Sequence, residues 1–420
     1  MRLFYKFQKS AKRFAFAGFA GILLFAYVTL VYAIPDKIYI YDSGEKIDLS
    51  LPVVFLREGT DNETKAAAGS LESYANGSSD DVSVDSGTIK YQCKLLGLIP
   101  LKEVSAQITE HKSLIAGGTP VGIYVKTDGV LVIGTGKVTN KQGDEVTPAQ
   151  NLIRSGDYIQ EINGTTVTSK EQVIQAVDES EGKKMILRIQ RDGEFLEVAV
   201  TPAESIEGGY KMGLWVRDDL AGIGTLTYVT ADNYYGALGH AVSDADTGVV
   251  LNMKKGILYK SSIVGIVKGE SGTPGELTGI IKYNEENCLG SIDKNTQAGI
   301  YGSLRQLPEG ISTANEMPIG YKQEIETSAA QILCAIDGEV KAYDIRITEV
   351  DFHEDEEYKE IMFEVTDQEL LEKTGGIVQG MSGSPIIQNG KIVGAVTHVF
   401  VQDAQKGYGI FIEDMLKNNL

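Results

Sequence analysis

The sequence predicts a mainly β protein in three parts: an N-terminal apolar helix, a small α+β domain, and a larger domain of short strands. Three observations carry that expectation. Phe14 to Ile34 runs without a charge. Residues 113–203 set strand-like runs around one amphipathic helical stretch, Ser169 to Ser180. From about Ile206 onward, short apolar runs recur between Gly, Asn and Asp, as in Gly222-Ile223-Gly224-Thr225-Leu226-Thr227-Tyr228-Val229 and Ile263-Val264-Gly265-Ile266-Val267. Many short strands with frequent turns imply a barrel or sandwich. The 47 glycines suit that reading, and 420 residues hold two or three domains with real cores. A formal charge of -19 speaks against nucleic acid, which asks for a basic face. Cys93, Cys288 and Cys334 are odd in number and widely spaced, so they give neither a disulfide framework nor a zinc pattern and read as buried apolar residues. His111, His240, His353 and His398 are scattered as well. No metal and no cofactor is expected.

Residues 1–35 read as a basic cytoplasmic flank and a transmembrane anchor. Arg2, Lys6, Lys9, Lys12 and Arg13 precede 21 uncharged residues, enough to span ~30 Å of hydrocarbon as a helix. Positive charge stays on the cytoplasmic side, so everything after Pro35 is expected in an extracytoplasmic space, tethered to the membrane. The competing reading is a cleaved signal peptide, since Val31-Tyr32-Ala33 is a passable small-x-small site. Residues 36–90 form the exported segment and linker. Gly59 to Gly87 is too rich in Gly, Ser, Asn and Asp to build a core and reads as a flexible tether.

Residues 91–205 hold a strand lead-in, Tyr91 to Ile108, and a compact domain. Ser155-Gly156-Asp157-Tyr158-Ile159-Gln160-Glu161-Ile162-Asn163-Gly164 is followed by a helix with Ser169 as N-cap and Gln172 in capping-box spacing. The strand Met185-Ile186-Leu187-Arg188-Ile189 then closes the unit. This stretch resembles a PDZ domain, departing from the pattern at Pro148 to Arg154, which lacks the usual Ala-Gly pair. The resemblance implies capture of peptide segments by strand addition. Gly117-Gly118-Thr119-Pro120-Val121-Gly122-Ile123 would receive a carboxylate and Ile123-Tyr124-Val125 would be the edge strand. Val121, Gly122, Ile123 and Tyr124 are therefore the expected peptide-binding residues. A small α+β domain without a ligand is the plainer alternative.

Residues 206–420 carry the chemistry. Gly380-Met381-Ser382-Gly383-Ser384-Pro385 puts one hydroxyl on a tight turn between small neighbours, ahead of an apolar hairpin. Such a turn lets a carbonyl reach Ser382 and lets backbone N–H groups meet the oxyanion. The bland reading is a Gly/Ser-rich β-turn. A serine needs a base within reach, and His240, in Gly239-His240-Ala241-Val242, sits past a strand among small residues. His398, in Thr397-His398-Val399, is the rival; by analogy with chymotrypsin-like enzymes, which the serine turn resembles, that strand lines the substrate groove, and Thr397 and His398 are expected beside the guest peptide. For the acid that orients the imidazole, Asp367, at the start of a short helix from Asp367 to Lys373, competes with Asp244, four residues after His240.

The turn resembles the nucleophile loop of chymotrypsin-type peptidases. With Gly222 to Leu226, Gly236 to His240, Thr374 to Pro385 and Gly407 to Phe411, the whole chain resembles the SpoIVB family of sporulation signalling serine peptidases. That resemblance implies a chymotrypsin-like β-barrel, with Ser382 as nucleophile, His240 as base, Asp367 as orienting acid, and the N–H groups of Gly380 and Ser382 as oxyanion donors. It also implies two protein substrates: the enzyme itself, and a membrane-bound inhibitor of an intramembrane metalloprotease, cut in the intermembrane space of a developing spore to start a sigma-factor programme. Release after self-cleavage in the tether would follow. An HtrA-like quality-control peptidase is the second reading, disfavoured because HtrA enzymes place PDZ domains after the peptidase. A non-catalytic PDZ scaffold is the third.

Overall fold

The computed structural model describes residues 2–41, 47–48, 53–57, 70–71, 88–352 and 358–419. The tether predicted at 59–87 lies almost wholly outside the described residues, as does His353. Helix α1 (Arg2–Tyr32) forms where the charge-free run predicts one. Among the described residues, however, no helix is long and apolar enough to cross a membrane. The predicted transmembrane helix is corrected on that finding. α1 stops at Tyr32, before the apolar run does, and its first turns carry the basic residues.

After α1 come β1 (Lys37–Tyr41), β2 (Val53–Arg57), β3 (Thr88–Leu95) and β4 (Ile99–Thr109), which form a sheet of order β1-β4-β3-β2. Ile34, Ile38, Tyr91, Cys93, Val104 and Ala106 make its small core. Cys93 and Cys334 are buried and Cys288 is half-buried, and all three are free thiols.

The centre of the molecule depends on two long strands. β5 (Ser113–Ala116) leads into β6 (Pro120–Thr135). β7 (Tyr158–Ile162), α2 (Lys170–Glu179), β8 (Met185–Arg191) and β9 (Glu194–Val200) follow, and then β10 (Leu214–Val229). β6 and β10 run antiparallel from Leu214↔Thr135 to Thr225↔Pro120. One end of this ladder extends as β9-β8-β7-β6-β10 under α2, which makes the α+β domain. α2 starts where the sequence says: Ser169 accepts from the Gln172 N–H and Gln172 returns the bond, a complete capping box. The other end joins β11 (Tyr234–Ala237), β12 (Met253–Val267), β13 (Glu276–Ile281), β14 (Cys288–Ile292), β15 (Gly299–Ser303) and β16 (Glu316–Pro318) around a second core of Ile123, Val125, Leu226, Val229, Tyr235 and Leu258.

Two expectations change as a result. The boundary at residue 206 does not separate binding domain from catalytic domain, because β5, β6 and β10 belong to the first barrel-like layer and the α+β unit is an excursion between β6 and β10. Val121, Gly122, Ile123 and Tyr124 are not a peptide-receiving loop and edge. They pair with Gly224, Ile223, Gly222 and Ala221 of β10 on one side and with Lys260, Tyr259, Leu258 and Ile257 of β12 on the other. A strand bonded on both sides has no free ladder for a guest.

The last third is a closed barrel of β17 (Ala329–Cys334), β18 (Lys341–Val350), β19 (Ile361–Val365), β20 (Pro385–Gln388), β21 (Lys391–Val399) and β22 (Lys406–Phe411), in the order β17-β18-β19-β22-β21-β20. β18 shows the reason in its pattern: Tyr343, Ile345 and Ile347 alternate inward between exposed neighbours. Those three pack on Phe363 and Phe411. Each such buried side chain contributes roughly 1.5–3 kcal/mol. Helix α3 (Gln368–Thr374) links β19 to the serine turn, and α4 (Ile412–Asn419) follows β22.

Candidate active site

His240 comes from the first layer. β11 ends at Ala237, and Leu238 and Gly239 both take φ near +73°, which turns the chain over the neighbouring barrel. A Cβ on Gly239 would lie 3.0 Å from Ile410 Cγ2 and from Thr397 Cγ2, so the turn presses directly on β21 and β22. His240 is half-buried. Its Nδ1 lies 2.8 Å from the Ala241 carbonyl oxygen. A carbonyl only accepts, so Nδ1 carries the proton and Nε2 is left as the bare base. Burial pushes the imidazole below its ordinary value, and the Ala241 carbonyl offsets part of that.

Ser382 comes from the second barrel, on the turn between α3 and β20. The turn is shaped by backbone bonds: Leu277 N–H donates to Gln379 O at 2.8 Å and Ser384 N–H donates to Met381 O at 2.9 Å. In a trans peptide the N–H points opposite to the C=O. The Gly380 and Ser382 N–H groups therefore face away from those donors, and among the described residues neither N–H makes a hydrogen bond. Gly380 has φ +98° and Gly383 φ +95°. At Gly383 a Cβ would sit 2.1 Å from Thr225 O and 2.5 Å from Leu238 N, so only glycine fits between the serine turn and the histidine turn. Ser382 Oγ donates to Thr397 O at 2.8 Å. Ser384 is fully buried, which bars it from attacking a substrate.

Ser382, His240, Gly380, Thr397 and His398 line one cleft of about 440 Å³ between the two layers. The His240 and His398 rings lie 5.1 Å apart at 35°. Apart from Ser243 and Gln379 the remaining wall is apolar, including Leu220, Ile223, Val242, Ile377, Val378 and Val401, and among the described residues no Asp, Glu, Lys or Arg contributes to it. The acids lie elsewhere. Asp367 is the N-cap of α3: its carboxylate accepts from Leu370 N–H at 3.0 Å and Asp344 N–H at 3.4 Å. Asp244 is buried in an ion pair with Arg217 and accepts from the Asp246 and Thr247 N–H groups. Neither carboxylate touches His240. The predicted place of Asp367 against the imidazole is corrected, because capping occupies it, and the Ala241 carbonyl holds Nδ1 instead.

A second groove lies in the α+β domain, about 470 Å³ between Val173, Ile174 and Val177 of α2 and residues Leu214 to Val216 of β10. There β10 pairs with β6 on one side only among the described residues. Trp215 and Ile174 are 63% and 57% exposed. The preceding loop, Gly208-Gly209-Tyr210-Lys211-Met212-Gly213, has positive φ at each of its glycines. A glycine-bounded loop entering a strand, the pattern that points to residues 117–125 in the sequence, recurs here on a strand with one open side among the described residues.

Residues 208–416 match the family model described as SpoIVB peptidase S55, and residues 141–191 match a PDZ domain model. The chain belongs to the SpoIVB peptidase S55 family. Its PDZ domain is the α+β unit carried between β6 and β10. Among curated proteins, the chain is similar to LL2128 of Lactococcus lactis, which is named as a zinc metalloprotease, with 28% identity over 113 residues, 25% of this chain and 26% of that protein. It is also similar to the regulator of sigma-W protease RasP of Bacillus subtilis, with 37% identity over 59 residues, 14% of each chain. The chain thus spans well under a third of the length of either relative. Among solved structures it is similar to the Rv3671c protease of M. tuberculosis, with 16% identity, a TM-score of 0.25, and coverage of 46% of this chain and 81% of that one.

Proposed function

We propose that this peptidase is an exported signalling endopeptidase in which Ser382 attacks the scissile carbonyl, His240 Nε2 takes its proton, and the Gly380 and Ser382 N–H groups hold the oxyanion. The observation that carries the reading is the meeting of Ser382 and His240 in one cleft from two separate layers of the molecule. Ser382 Oγ must turn from Thr397 O toward Nε2 before attack, and such bonds commonly tighten only once substrate is present. The Nδ1–H bond to Ala241 fixes the tautomer and steadies the imidazolium after transfer. The imidazolium then protonates the leaving amine, and water repeats the sequence on the acyl-serine. Each oxyanion donor stabilises the transition state by ~3 kcal/mol.

The substrates are the protein itself and a membrane-bound regulator of an intramembrane metalloprotease, cut outside the cytoplasm during sporulation. The groove between α2 and β10 selects them by adding a peptide strand to the free edge at Leu214 to Val216. Incubating purified protein beside Ser382→Ala, followed by N-terminal sequencing, tests this. New ends between residues 53 and 90 in the wild type alone support self-cleavage, and identical intact chains in both samples refute it.

A further inference from the structure

One buried threonine outside the expected catalytic set touches both catalytic turns. Thr225, on β10, is 2% exposed. Its Oγ1 donates to Gly380 O at 2.8 Å and its N–H donates to Ser382 O at 2.9 Å. Its own carbonyl accepts from Leu238 N–H at 3.2 Å, two residues before His240. Gly380 joins two peptide planes, the first bearing one oxyanion donor and the second setting its angle to the other. The first is held at Gln379 O by the Leu277 N–H. The second, which links the Gly380 N–H to the plane that bears the Ser382 N–H, is held at Met381 N–H by Val378 O at 3.1 Å and at Gly380 O by the Thr225 hydroxyl, the one side-chain donor to the backbone of residues 379–384 among the described residues. A glycine at φ +98° has little intrinsic resistance to rotation of that second plane.

We propose that Thr225 is a positioning residue of the peptidase: its hydroxyl fixes the Gly380–Met381 peptide so that the Gly380 and Ser382 N–H groups converge on one point, and its backbone registers that point against the His240 turn. This rests on the serine–histidine reading above. Thr225 does not touch substrate. It acts through the orientation of the oxyanion donors, so its loss weakens the transition state more than the ground state.

The test uses the full chain and a p-nitrophenyl ester of an N-acylated leucine, with Ser382→Ala as the blank. Thr225→Val keeps the volume and removes the hydroxyl; Thr225→Ser keeps the hydroxyl and removes the methyl. The expected result for Thr225→Val is a kcat lower by about 10- to 100-fold at nearly unchanged KM, with Thr225→Ser within about threefold of wild type. Wild-type kcat in Thr225→Val overturns the proposal, as does an equal loss in both variants, or a change in KM alone. Should Thr225→Val fail to fold by circular dichroism, Thr225→Ser against Thr225→Ala decides: retention in Ser only supports the hydroxyl's role, and equal loss refutes it. Wild type no faster than Ser382→Ala would instead sink the serine–histidine reading, and the proposal with it.

Discussion

His240 is held as a neutral base by the Ala241 carbonyl at Nδ1 and by its dry surrounding, with no carboxylate in contact among the described residues. Burial disfavours the charged imidazole, so its folded value lies below the ordinary 6.5. Neutral imidazole is the working form, so kcat/KM should reach half its maximum below pH 6.5 on the acid side and stay flat above it. A half-maximum at pH 7 or higher would contradict this desolvated site without a contacting carboxylate, because only a nearby negative charge would raise the imidazole that far. The uncharged cleft wall makes a second prediction. An unpaired charge buried there costs several kcal/mol, so peptides with Leu or Val at the cut position should outrun those with Lys or Asp by about 100-fold or more. Equal rates for Lys and Leu would show that the side chain lies elsewhere. That Ser382 and His240 share one cleft was legible in the sequence, because each stands among small residues on a turn, where a polar side chain is left open to a neighbour. Asp367 misled because an acid at a helix start serves a cap and a catalytic site with the same residue type.

The element that decides Asp367 is α3. Its seven residues run straight into the serine turn, with Gly375 as left-handed C-cap at φ +77°. Asparagine caps as well as aspartate, whereas alanine costs ~1 kcal/mol. Asp367→Asn should therefore retain stability and activity, and Asp367→Ala should lose about 1 kcal/mol in denaturant unfolding, with some activity as the turn loosens. Inactive but fully stable Asp367→Asn would assign the carboxylate a role beyond capping. The capping box of α2 and the helix α3 were both readable, since caps and breakers act locally. β6 and β10 were not. A Gly-rich turn followed by Val121-Gly122-Ile123 looks the same whether the strand is an edge or lies between two partners, and only β12, more than 120 residues later, distinguishes the cases.

At the scale of the whole molecule, β10 is a single strand that borders the PDZ groove at Leu214 to Val216 and reaches the serine turn at Thr225. Over that distance of ~30 Å, binding domain and catalytic layer share backbone. The fragment 206–420, the catalytic domain that the sequence predicts, lacks β5 and β6 and so loses the long ladder of β10 and one of the sides of β12. It should fail to unfold cooperatively in thermal circular dichroism, while 113–420 should show one transition. A well-folded, active 206–420 would refute the shared-strand architecture. The central claim, that one hydroxyl is made nucleophilic by an imidazole from the other layer, has a more direct test. Treatment with a fluorophosphonate, followed by peptide mapping in the mass spectrometer, should place the label on Ser382 and lose it in His240→Ala. A label on another residue, or undiminished labelling of Ser382 without His240, would contradict it.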